Sequence, residues 1–158
     1  MLIQEIGFGV YIGKCENCGD ESEIYMLSDF SYGEKLLLTE DGQDFAYLNC
    51  FEDNVFNETG EIVKMLCKGK GYSDSRIAEL SNVIFELTCD PIFEKRIDVR
   101  RIQRTCKKCK SGHVMIGQGP NKTCKVSVPI VTHLTWEQKS AEEQMIIIRS
   151  YLRDMGCI

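Results

Sequence analysis

Two pairs of cysteines carry the chemistry this chain can be read for most directly. KCENCGD at residues 14–20 holds Cys15 and Cys18, and TCKKCKS at residues 105–111 holds Cys106 and Cys109. A two-residue spacer lets both sulfurs of a pair face one ion while the amides of the turn face the sulfurs. Four thiolates arranged as a tetrahedron are what structural zinc takes. Gly19, directly after Cys18, gives the first turn freedom in φ. Lys14, Lys107, Lys108 and Lys110 supply positive charge to offset the thiolates. The long separation of the pairs is a weak obstacle, because loop-closure entropy grows only logarithmically with length. The leading expectation is one zinc ion on Cys15, Cys18, Cys106 and Cys109.

Three other readings of these cysteines stay open. The ligands could be local to the C-terminal part: Cys106, Cys109, Cys124 and one of His113 or His133. A redox pair is the second, but it wants a strand–helix junction, and neither pair is followed by a helical pattern. Free thiols are the third. Cys50, Cys67 and Cys89 stand in apolar surroundings and read as small core residues. Cys157, beside the terminus, reads as exposed. Nine cysteines are an odd number, which a closed disulfide framework does not accommodate.

Catalytic patterns are weak. The two histidines, His113 and His133, have no neighbouring motif for general-base work. GQGPNKT at 117–123 lacks the glycine that a phosphate loop needs before its lysine, and reads as a hairpin turn. Acidic pairs such as Glu40/Asp41 and Glu52/Asp53 fall in turns. A site with four cysteine ligands has no open position for catalysis. The expectation is a protein that is not an enzyme and has no evident small-molecule substrate.

Charge is strongly polarised. Residues 1–61 carry fourteen acidic and two basic side chains, and residues 62–125 carry six acidic and fourteen basic. Such polarity can steer charged partners. Two binding surfaces follow. Asp41, Asp44, Glu52 and Asp53 in the acidic part would meet a protein partner, a basic one by charge. Arg100, Arg101, Arg104, Lys107, Lys108 and Lys110 would contact the phosphates of a nucleic acid. The acidic part would repel a long duplex, and the basic run lacks interleaved aromatics for stacking, so the protein partner is favoured. There is no long apolar run and no apparent signal peptide, which gives the expectation of a cytoplasmic protein without a membrane partner.

The elements that must position these residues are legible from periodicity. Phe8, Val10 and Ile12 alternate as a strand, and Ile24 and Met26 repeat this after the first cysteine turn. DVRRIQR and HVMIG are read as the same strand–turn–strand layout around the second pair. EKLLLTEDGQDFAYLNCF reads as two strands turning at Asp41–Gly42. Val55, Phe56, Thr59, Ile62, Val63 and Leu66 form a helical stripe, with Gly60 inside it. Ile77, Leu80, Ile84 and Leu87 form another, capped by Ser73 or Asp74. VSVPIVTHL reads as an edge strand because of Pro129. A Thr135/Gln138 capping box predicts a helix of roughly twenty residues ending at Gly156.

The two CxxC turns resemble the knuckles of a zinc ribbon. That resemblance implies a discontinuous ribbon-like part, 6–27 plus 97–118, an insertion 28–96, and a C-terminal strand and helix over 124–156, all within a single domain 1–158. The fold class is α+β: a small antiparallel sheet with zinc-ribbon-like knuckles, an inserted α/β segment and a C-terminal helix. In size, acidity and lack of catalytic groups the chain is similar to small acidic bacterial immunity and inhibitor proteins. This similarity is one of class, and no residue is assigned by it.

Overall fold

A computed structural model describes residues 2–28, 32–100, 105–112 and 114–158. The elements are β1 (Ile3–Cys15), β2 (Glu21–Leu27), β3 (Glu34–Thr39), β4 (Phe45–Asn49), α1 (Asn54–Leu66), α2 (Asp74–Glu86), β5 (Ile97–Asp98), β6 (Val114–Ile116), β7 (Lys122–Pro129), α3 (Leu134–Glu137) and α4 (Ala141–Asp154). The class is α+β as expected, but there are two antiparallel sheets rather than one.

The first sheet is built on β1. Its second half pairs with β2, from Phe8↔Leu27 to Lys14↔Glu21. Along the other edge, β7 pairs with Ile3–Val10 and β6 with Gly13–Cys15. Directly opposed residues share a face, so Ile6, Phe8 and Val10 lie on the same face as Tyr25, Leu27, Cys124 and Val126. This face packs on the second sheet, β4–β3–β5, through Leu36, Phe45 and Tyr47. Leu37, Ala46 and Leu48 point the other way, onto Phe85 of α2 with Ile92, Ile97 and Val131. A strand covered on both faces needs a continuous apolar run rather than alternation, which is why β3 reads LLL.

Beyond the second sheet, α1, α2 and α4 bury Val63, Leu80, Ile84, Ile148 and Leu152 around Trp136. Gly60 is accommodated within α1. Asp53 caps α1, its Oδ1 accepting the Phe56 N–H at 2.7 Å. Ser73, of the two predicted candidates, caps α2.

Four expectations are corrected. The C-terminal helix is broken in two, because Ser140 and Glu143 form their own capping box and restart the chain as α4. The short α3 is capped from afar: Asp90 accepts the N–H groups of Leu134 at 2.6 Å and Thr135 at 3.0 Å. Gly156 does end α4, with the Cys157 N–H reaching Leu152 O and the Gly156 N–H reaching Arg153 O. Cys157 is thereby turned inward and is buried.

The third correction concerns the strand expected before the second cysteine pair. Only Ile97–Asp98 is strand, and it pairs with Leu38 and Thr39 in the second sheet. Residues 101–104 of that expectation lie outside the described residues. Fourth, residues 117–121 do not form a hairpin. β6 and β7 both run antiparallel to the same edge of β1, so the segment is an outward detour between Gly117, which donates to Ile12 O, and Asn121, which donates to Val10 O. β7 is an outer strand of its sheet, as Pro129 predicts.

Candidate metal centre

The end of β1 and the turn into β2 form the first knuckle. The Cys15 N–H donates to Asp20 O at 2.9 Å, and the Gly19 N–H donates to Cys15 O at 2.9 Å. Gly19 has φ 73°, a left-handed conformation that glycine adopts without steric cost. The second knuckle repeats this bonding five residues for five. Cys106 N–H donates to Ser111 O at 2.8 Å and Lys110 N–H to Cys106 O at 3.0 Å. Here the left-handed position, φ 61°, is held by Lys110.

The two knuckles face each other. Cys15 Sγ lies 3.5 Å from Cys109 Sγ, and Cys18 Sγ lies 3.6 Å from Cys106 Sγ. All four sulfurs fall within 4.8 Å of one another. Zinc–thiolate bonds of about 2.3 Å in a tetrahedron require sulfur separations of roughly 3.8 Å. The cluster therefore fits a four-thiolate zinc with little adjustment, and its donor set suits a soft-ligand structural site. Cys15 and Cys106 are buried and Cys18 is exposed. Ile24 and Val114 pack beneath the cluster. Gly13 keeps these two seated, since a Cβ there would overlap both side chains.

Two groups near the sulfurs set where negative charge settles. Asn17 Nδ2 donates to Cys109 Sγ at 3.5 Å. With the Ser111 backbone, it pulls the Cys109 thiol down to about 6. At Cys18 the Asp20 backbone favours the thiolate, but desolvation and the three neighbouring sulfurs outweigh it and push the thiol up to about 12. Sequence reasoning missed Asn17; its only signal is its place between the cysteines of CENC. The alternative ligands are elsewhere. Cys124 sits opposite Phe8 in the inter-sheet core, and His133 is committed to other partners. His113 lies outside the described residues. Neither knuckle meets a helix, so the strand–helix setting of a redox pair is absent among the described residues.

Three of the four predicted acids are engaged in ion pairs within the chain, Asp41 and Asp44 at the surface and Asp53 nearly buried. Lys95 Nζ bridges Asp41 at 2.8 Å and Asp44 at 2.6 Å. The Lys95 ammonium, with the Gln43 N–H and the Thr39 hydroxyl, holds Asp41 down at about 2. Asp53 Oδ2 meets His133 Nε2 at 3.0 Å, and the two side chains are only 12% and 6% exposed. His133 Nδ1 lies 2.9 Å from Thr88 O. Both ring nitrogens thus face oxygen acceptors, an arrangement that favours the protonated ring. Burial works against its charge, but Asp53 and Thr88 O outweigh burial and raise it above its usual value. Glu52 is exposed and has no ion pair among the described residues.

Of the predicted basic patch, Arg100 Nε reaches Glu86 at 3.4 Å. Lys107, Lys108 and Lys110 project from the second knuckle and are exposed. Arg101 and Arg104 lie outside the described residues. A further feature was not anticipated: Tyr32 and Phe51 stack at 5.5 Å with an interplanar angle of 26°, although they are 77% and 63% exposed. Gly33, at φ 93°, leaves room for the Phe51 ring, which a Cβ would strike.

What the fold and site define is an α+β chain with a compact, zinc-ribbon-like cluster of four cysteines that could hold a metal ion. No protein-family model, no curated protein and no solved structure matches the chain. Among the described residues, no helix is long and apolar enough to cross a membrane.

Proposed function

We propose that this chain is a non-catalytic, zinc-stabilised protein that binds a basic protein partner, in the manner of an immunity or inhibitor protein. The carrying observation is the exposed Tyr32–Phe51 stack. A stacked aromatic pair left in water is unusual unless something covers it, and aromatic anchors dominate protein interfaces. Glu52, next to Phe51 and with no ion pair among the described residues, gives the patch its charge. The excess of acids over residues 1–61 extends that field. Asp41, Asp44 and Asp53 are spent on Lys95 and His133, so the reading moves the anchor from those acids to the aromatic pair with Glu52.

The test is chemical cross-linking of the tagged protein in its source cells, with the captured proteins identified by mass spectrometry. A basic protein held by the wild type should be lost with Phe51→Ala and weakened by Glu52→Lys, with zinc content unchanged in both. Capture that ignores both substitutions would overturn the reading.

A further inference from the structure

A cleft of about 440 Å³ opens where three distant parts of the chain meet. Its floor is the first sheet, with Tyr25 and Val126. One wall is the β3–β4 turn, with Asp41, Gln43 and Phe45, and the other is the second knuckle, with Lys107 and Lys110. The volume lies within the range of small-molecule sites. Tyr25 and Phe45 stand edge to face at 5.6 Å, are half-buried, and both line the cleft.

The charges in the cleft do not cancel evenly. Glu23 accepts from the Tyr25 hydroxyl at 2.8 Å and pairs with Lys122 at 3.1 Å. Asp41 is held by Lys95 at 2.8 Å. Both carboxylates are therefore matched by cations of their own. Lys107 and Lys110 have no ion pair among the described residues, and both enter the same space as the aromatic rings. Gln43 adds a side-chain amide that both donates and accepts. The linear basic run has no aromatic residues, and folding brings them to it.

We propose that this cleft is a nucleotide site, taking a nucleobase against Tyr25 and Phe45 and its phosphate against Lys107 and Lys110. Aromatic faces beside cations are how proteins hold unpaired bases. The same chemistry is offered by a free mononucleotide and by the end of a single strand. The site is separate from the Tyr32–Phe51 patch and does not depend on the protein-partner reading. A four-thiolate zinc carries net negative charge, so the two lysines also offset the metal centre, and zinc content must be followed in every variant.

The experiment is equilibrium dialysis of the zinc-loaded full chain against two probes, adenosine monophosphate and a pentathymidylate. Binding of either supports the site, and the tighter one names the source. Tyr25→Leu should weaken binding about tenfold or more, the scale of one lost stacking contact. Lys107→Gln with Lys110→Gln should weaken it comparably and flatten its salt dependence. Phe51→Ala should leave it unchanged. No binding of either probe at millimolar concentration would overturn the proposal. So would binding that Tyr25→Leu and the lysine pair leave intact in variants that keep their zinc and their melting temperature.

Discussion

The knuckle end and the helical end of this molecule are held together by different means. At the knuckles the buried cluster comprises Cys15, Ile24, Cys106 and Val114, and two of these four are candidate metal ligands. At the helical end Val63, Ile84, Ile148 and Leu152 are wholly buried among nine core residues, and the ion pair of Asp53 with His133 ties α1 to the segment before α3. A core too thin to hold itself is where a metal does most for stability. A thick apolar core holds without one.

The sharpest way to break this comparison is to take away the zinc proposed for the four cysteines. Zinc binding in small thiolate sites is worth on the order of 10 kcal/mol. Chelation, or Cys18→Ser and Cys109→Ser, should therefore abolish amide-exchange protection at the end of β1 and in β6 while α1, α2 and α4 stay protected. Cys67→Ala, in the helical core, should leave zinc content at one per chain. Equal loss of protection at both ends on chelation would show that the two ends are one cooperative unit.

The helical end should break differently, and with pH. His133→Ala strands a nearly buried carboxylate and should cost about 3–5 kcal/mol. The native His133 value is raised from 6.5. Its contribution is therefore fully present below that ordinary value and is lost as pH rises through the raised one. Asp53 is lowered from 3.8, because His133 and the N–H groups of α1 outweigh its burial. Its contribution is present above 3.8 and is lost as pH falls through the lowered value. Between these ordinary values the helical end holds its full ion pair, while acid strips thiolate sites of metal. A urea titration down that range should show the knuckles weakening first, and above pH 6.5 His133→Ala should flatten the fall in stability of the helical end.

Leu152→Ala tests the apolar side alone. A wholly buried leucine truncated to alanine costs about 2–5 kcal/mol, read as a lower urea midpoint with zinc affinity unchanged.

The smallest effect lies between the two knuckles themselves. They share one hydrogen-bond pattern, yet glycine fills the left-handed position in one and lysine in the other. A left-handed non-glycine residue carries roughly 1–2 kcal/mol of strain. Lys110→Gly should relieve part of it and stabilise by up to about 1 kcal/mol, after the entropy of the added glycine. Gly19→Ala should cost about 1 kcal/mol, purely through the backbone, since a Cβ there meets nothing within 4 Å. Competition with a zinc chelator reads both. The two changes moving zinc affinity in the same direction would show that backbone strain is not what separates the knuckles.

How much of this was legible in the sequence follows the range of each interaction. The CxxC spacing sets a turn of six residues, so both knuckles and their four sulfurs could be read directly. The stripe of α1, Leu80 and Ile84 of the α2 stripe, a cap at Ser73 and the Asp41–Gly42 turn are equally local, and they appear, whereas Leu87 falls past the end of α2 and is exposed while Phe85 is buried. The α3–α4 break was misread because the expected Thr135/Gln138 box does not form: Thr135 lies inside α3, whose N-cap position is His133. Ser140 and Glu143 form theirs, while the α3 terminus is satisfied by Asp90, 44 and 45 residues away along the chain.

What the sequence by itself determined is the set of groups able to bind metal and the local turns that aim them. Tertiary structure decided which charges remain free. Asp44 meets Lys95 across 51 positions and Asp53 meets His133 across 80, and no periodicity encodes such pairs. It also decided that the lysines of the second knuckle share a cleft with Tyr25 and Phe45. Short-range turn chemistry is written in neighbouring residues, whereas the meeting of distant side chains depends on how whole sheets pack.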